Sequence, residues 1–435
     1  SNNTAIGYGA LYDNTTGASN VAVGYLTLEN NTTASNNTAV GKSALSLNTT
    51  GTSNTAMGYN SLTSNTTASN NTSIGYASLE AITTGGDNTA LGYRAGDSLT
   101  TGNNNAIVGR SALSSDTLGD RAVAIGSGAL AAQNFTSSTD NYNVGIGFNA
   151  GALITTGTIN TLIGGLAGDA LTTGNSNIAL GYSALSADTA GDRSTAIGFQ
   201  TLANQNFTSN TDTYNTAVGY NAGVNVTTGD ANTLIGGLAG DALTVGNGNV
   251  ALGYASLSTD TKGDRNVAIG REALFTQNFT TSTDSYNTAV GYHAGKTVTT
   301  GTNNTLIGGL AGDAITTGSN NASLGHLSLS ANTTGGSNVA LGAYALYSNT
   351  TASDNTAVGK NALFVNTTGA DNVALGASSL DANTTGASNT GIGRSALGAN
   401  TTASNNTAVG NGALLTNTTG AENTAVGSLS LDANT

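Results

Sequence analysis

Three sets of residues in this 435-residue chain have types and spacings that could do chemistry. The first is Gly-Gly-Leu-Ala-Gly-Asp, at 164–169, 236–241 and 308–313. It nearly matches a calcium-binding nonapeptide, in which tandem turns supply the six or more oxygens a hard cation needs. Here the fourth residue is Ala and the copies are not in tandem, so the expectation is a tight corner without metal. As a phosphate loop it lacks the Lys-Ser/Thr that would hold the phosphates. The second set is Gly-Asp-Arg, at 119–121, 191–193 and 263–265. Its copies lie too far apart along the chain to form one cluster, and they read as exposed turn charges of small energetic value. The third is the histidines, His293 and His326, neither with Ser and Asp placed for a nucleophilic triad. No catalytic residue and no cofactor is expected, and the chain reads as a non-enzyme.

Aromatic residues offer binding rather than catalysis. The segments QNFTSSTDNYN (133–143), QNFTSNTDTYN (205–215) and QNFTTSTDSYN (277–287) each pair a Phe with a Tyr among polar residues. These are Phe135 and Tyr142, Phe207 and Tyr214, and Phe279 and Tyr286. Aromatics on loops of a rigid scaffold suit a cell-surface glycan or receptor. A Phe folded back over a neighbouring turn of chain is the structural alternative. The segments are expected to bulge on one side without breaking whatever stack carries them.

What carries them is a repeat. Tetrapeptides of TAVG type begin at 4, 21, 38, 55, 72, 89, 106 and 123, and resume at 144, a period of 17 broken by three steps of 21. There are 25 of them, and the three copies 89–160, 161–232 and 233–304 form a 72-residue super-repeat. Internal periodicity outranks other signals. So short a unit cannot hold a helical repeat, and its Gly content weakens helices. The β-branched–small–aliphatic order has period two, as in a strand. Short strands and turns fit one coil of a parallel β-solenoid, an all-β fold. Residues 1–435 are read as one continuous solenoid: plain coils over 1–88, super-repeats with inserts over 89–304, plain coils over 305–435. Coils about 4.8 Å apart would give a rod roughly 120 Å long.

Within each coil the first tetrapeptide position is mostly Thr, Val or Ile, and the third is always Val, Ile, Leu or Met. This stripe is expected to fill the coil interior, joined by the Leu four residues after the Gly in 18 coils, such as Leu11, Leu45, Leu62 and Leu113. The second position, mostly Ala, and the fourth, always Gly, form a bare face that lets another backbone come close; a neighbouring chain is the expected partner and the far wall of a thin coil the alternative. Asn before the tetrapeptide (Asn3, Asn20, Asn37, Asn54) and Asn opening the NTT turns (Asn14, Asn31, Asn48, Asn65) suit turns and stacked amide ladders.

Composition narrows the function classes. Pro and Cys are absent, so ladder hydrogen bonds can run unbroken and neither disulfides nor thiolate zinc sites are possible. Charged residues make up 8% of the chain and the net charge is −13, without the basic runs that bind nucleic acid. No apolar stretch reaches the roughly 20 residues of a membrane-spanning helix. The chain begins at Ser1 and reads as a segment or a mature product.

The motif N-T-A-V-G-x-x-A-L resembles the head repeats of trimeric autotransporter adhesins, and NTTGxxNTAVG is similar to repeat shafts of phage tail-fibre proteins. The likeness runs over the whole chain, at Asn3–Gly7, Asn37–Gly41, Asn215–Gly219 and their equivalents. The adhesin coil is shorter than the one read here. What the resemblance implies is a homotrimeric extracellular or virion fibre shaft giving length, rigidity and display, with no insertion into a membrane. A self-associating surface or matrix filament, glycosylated at N-x-T sequons, is the alternative. An ice-binding solenoid is the third reading.

Overall fold

The computed structural model describes residues 2–432. Each repeat contributes one three-residue strand, from Thr4–Ile6 to Thr424–Val426, followed by turns that bring the chain back beside its own start. The chain is an all-β parallel solenoid of about 25 coils; a plain turn consumes 17 residues, and the insert-bearing turns that begin at Val123 and Val267 consume 21. It divides into two compact units, residues 1–215 and 216–435. In the first unit Thr4, Ala5 and Ile6 lie opposite Val21, Ala22 and Val23, and the parallel register repeats at every coil to Thr195–Ile197. In the second, Thr216, Ala217 and Val218 oppose Thr233, Leu234 and Ile235, and the ladder continues to Thr424–Val426.

Glycine ends each strand for two separable reasons. Gly41 has φ +133°, a conformation side chains rarely adopt, and a Cβ there would sit 2.4 Å from the Gly58 carbonyl oxygen. The coils stack too closely at this column for any side chain. The turn that follows places a leucine in the left-handed region, as at Leu45 (φ 54°) and Leu62 (φ 53°). That strain, of order 1–2 kcal/mol per residue, is offset in two ways. The side chains are fully buried, and the Leu45 N–H donates to the Ser61 carbonyl of the next coil at 3.0 Å.

The strands face the opposite way from the sequence expectation. It is the second position that points inward: Ala22, Ala39, Ala217 and Ala251 are fully buried, whereas the first- and third-position side chains lie on the outer surface. Lumen volume explains the reversal. Leucines from the far turn already fill the coil, leaving room on the strand for little more than a methyl group. The super-repeats show the exchange directly. Where Gly151 and Gly168 replace that leucine, the inward strand residue becomes Leu162, whose Cδ atoms lie 2.7–2.8 Å from where a Cβ on either glycine would be. Leu234 fills the same place beside Gly240, and Leu306 beside Gly295 and Gly312.

Two asparagine ladders complete the interior. Asn20 Oδ1 accepts from the Asn37 N–H at 2.9 Å, and the Asn37 amide donates to the Gly51 carbonyl at 2.9 Å, a pattern repeated from coil to coil. In the NTT column Asn31 donates to Asn14 at 2.9 Å and Asn48 to Asn31 at 3.0 Å. The amide ladders expected from the sequence are thus present, and they satisfy buried polar groups that would otherwise cost about 1–3 kcal/mol each.

Candidate functional site

The outer face of the main sheet is built from the first and third strand positions. None of its 25 pairs contains a charged residue. Large aliphatic side chains stand in the open along it: Leu180 is 41% exposed, Leu252 42% and Leu324 49%. Two residues beyond the third position a further column begins. Tyr8 and Tyr25 stack at 5.4 Å between ring centroids, Tyr59 and Tyr76 at 5.2 Å, and Tyr76 and Tyr93 at 5.2 Å. Lys42 fills the gap, its ammonium 5.8 Å from the Tyr25 ring and 5.5 Å from the Tyr59 ring. Such pairs contribute about 0.5–1.5 kcal/mol each beyond the area they bury. Sequence reasoning missed this column, although its tyrosines recur at whole multiples of the coil period.

The inserts are partly woven into the fold. The main ladder passes the first and third without a break: Val123 pairs with Val144, and Val267 with Thr288. Their own residues form small parallel sheets apart from it, Thr139–Asp140 on Gly119–Asp120, Thr211–Asp212 on Gly191–Asp192, and Thr283–Asp284 on Gly263–Asp264. The expectation of plain loops is corrected to this extent. Phe135, Phe207 and Phe279 are buried, as the structural alternative has it, while Tyr142, Tyr214 and Tyr286 are exposed.

A buried carboxylate anchors each insert. Asp116 accepts from Gln133 Nε2 at 2.6 Å, from the Gly119 N–H at 3.0 Å and from the Phe135 N–H at 3.4 Å. Gln133 Oε1 then accepts from Asn143 at 2.9 Å, clasping the neck of the insert. Asp188 with Gln205 and Asp260 with Gln277 repeat the clasp, each at 2.6 Å. Burial pushes the Asp116 carboxyl above the usual range, opposed by the hydrogen bonds from Gln133 and the backbone. These residues occupy the interior column that Asn fills in plain coils.

Gly-Asp-Arg is more than exposed turn charge. Asp120 is buried and accepts from the Asn103 N–H at 2.6 Å and from Ser138 Oγ at 2.6 Å. Arg121 pairs with Asp140 of the insert and lies over the Tyr142 ring at 5.6 Å. Arg193 with Asp212 and Tyr214, and Arg265 with Asp284 and Tyr286, repeat the arrangement. Each cluster satisfies itself: guanidinium, carboxylate and ring are already engaged with one another.

The remaining chemical residues are dispersed. Among the described residues no group of three or more His, Asp or Glu is placed to hold a metal ion. In the Gly-Gly-Leu-Ala-Gly-Asp corners Asp241 accepts from Ser258 at 2.6 Å and Asp313 from Ser330 at 2.5 Å; burial raises the Asp169 and Asp241 carboxyls. His293 Nε2 lies 3.1 Å from the Glu272 carboxylate, which also holds Lys296 at 2.6 Å, and burial lowers the imidazole below its ordinary value. His326 meets Tyr344 edge-on at 5.8 Å. Among the described residues no helix is long and apolar enough to cross a membrane. No family model matches the chain, and no curated protein matches it.

Proposed function

We propose that this chain is the shaft of an extracellular or virion fibre, a homotrimer whose work is length, rigidity and presentation at a surface. The observation that carries the reading is the same hydrogen-bonded coil repeated through each of the two units, whose polar and charged residues are largely spent on stacking one coil against the next. Contact with a cell-surface glycan or receptor would fall to Tyr142, Tyr214 and Tyr286, since their partner phenylalanines are buried. A glycosylated filament is less well supported. Asn31, Asn48 and Asn65 of the NTT sequons are buried, and their amide nitrogens donate into the ladder, where an attached sugar would break the stack.

Coil number should set length. Duplicating 339–406, four whole coils, should lengthen the particle seen by electron microscopy by about 19 Å at unchanged width. A particle that broadens, or keeps its length, contradicts the shaft.

A further inference from the structure

We propose that the outer sheet face docks a second copy of this chain, running in the same direction, with one rim of each copy against the opposite rim of the next. The inference rests on the shaft reading for its purpose but on separate observations for its geometry.

The face is uncharged in every coil and carries half-buried or exposed aliphatic side chains interspersed with threonines. The exposed ones include Leu91, Leu180, Leu252, Leu324 and Leu375, and water solvates such a strip poorly. Three strand residues span about 10 Å and coils rise about 4.8 Å, so the 12 or 13 coils of either unit offer roughly 600 Å². A standard interface takes about 800 Å² from each partner. One unit alone nearly supplies that, and the aromatic column widens the face between Tyr8 and Tyr93.

The rims decide which partner fits. On the side after the strand-ending glycine stand Lys42, Arg110, Arg271, Lys360 and Arg394, with no acidic residue in that column. Two residues before the strand, on the other side, stand Asp87, Asp354, Asp371 and Glu422. The arginines of that second column, Arg121, Arg193 and Arg265, are already paired with insert carboxylates. In the plain coils of the second unit Lys360, Arg394, Asp354, Asp371 and Glu422 are exposed, and none makes an ion pair among the described residues. Lys360 and Asp354 belong to the same coil, on opposite edges of its strand. Parallel copies related by rotation about an axis along the stack bring the basic rim of one against the acidic rim of the next at one level. Antiparallel copies face like against like, which costs affinity and suppresses that arrangement.

Light scattering of the full chain at micromolar concentration tests this. The expected mass is an integer multiple, at least two, of 42.5 kDa. Lys360→Glu with Arg394→Glu should lower it and reverse the salt dependence. Adding Asp354→Lys and Asp371→Lys to that variant should restore it. Val358→Glu, in the middle of the face, should give a monomer with an unchanged far-ultraviolet spectrum. Tyr59→Ala with Tyr76→Ala should shorten the lifetime of the assembly without touching the interior. A monodisperse 42.5 kDa parent chain overturns the docking face. So does a charge reversal that leaves mass and salt dependence unmoved. A monodisperse parent would also remove the homotrimer from the proposed function, whereas the shaft itself stands or falls on length against coil number.

Discussion

Adjacent glycines at 164 and 165 show how differently one residue type is used. Gly164 has φ +135°, and a Cβ there would lie 2.4 Å from the Gly181 carbonyl oxygen; at Gly165 the nearest atom is Tyr182 Cδ2 at 3.6 Å. Gly164→Ala should therefore cost about 3 kcal/mol or more, from strain and from prying two coils apart. Gly165→Ala should be nearly neutral, and urea denaturation of the two variants checks the contrast. The buried carboxyls set a second expectation at this scale. Asp116, Asp169, Asp241 and Asp381 have native pKa values raised by burial. A raised carboxyl means the folded state holds its proton more tightly than the unfolded chain. The stability it contributes is fully present below the ordinary value near 4 and is lost as pH rises through the native one. Glu272, held down by Lys296, and His293, held down by burial, work the other way, and the His293 contribution is lost as pH falls through its ordinary value. With His293→Gln in place to remove the imidazole, the melting temperature should rise or hold as pH is lowered from 6 to 5; a fall of several degrees would contradict the burial of these groups.

Volume inside the coil is exchanged between elements. Leu162 on a strand occupies space that Leu45 or Leu62 reaches from the turn in plain coils, and Gly168 makes room for it. Gly168 has φ +54°, the value at which those turn leucines already sit, so Gly168→Leu is permitted by the backbone. Alone it should overpack the lumen by about 1–3 kcal/mol, and Leu162→Ala alone should open a cavity costing about 2–5 kcal/mol. The double variant rebuilds a plain coil and should recover much of the loss, a coupling that a double-mutant cycle in urea measures directly. This exchange also explains what could be read from the sequence. The coil period, the parallel register and the amide ladders were legible, because each follows from spacing alone. The direction of the strands was not. Ala and Val are both apolar, so hydrophobicity cannot choose which faces in, and the choice falls to lumen volume set by a leucine on the far turn. The insert strands escaped notice because Thr139–Asp140 and Gly119–Asp120 are two residues long and show no alternation.

For the molecule as a whole, the reversal puts the larger strand side chains on the outside. A solenoid with aliphatic residues within and alanines without would have a bare, closely packed outer wall. The observed one carries its aliphatic and aromatic residues outward and closes itself with alanine, leucine and asparagine. Ala251 and Leu252 are neighbours on one strand, the first fully buried and the second 42% exposed. Thermal unfolding of Ala251→Glu beside Leu252→Glu reads the orientation directly. Ala251→Glu should bury an unpaired charge at several kcal/mol and melt far below the parent chain, while Leu252→Glu should leave the folded coil intact and weaken only association between copies. The opposite result, in which Leu252→Glu unfolds the chain and Ala251→Glu does not, would mean that the strands face the other way.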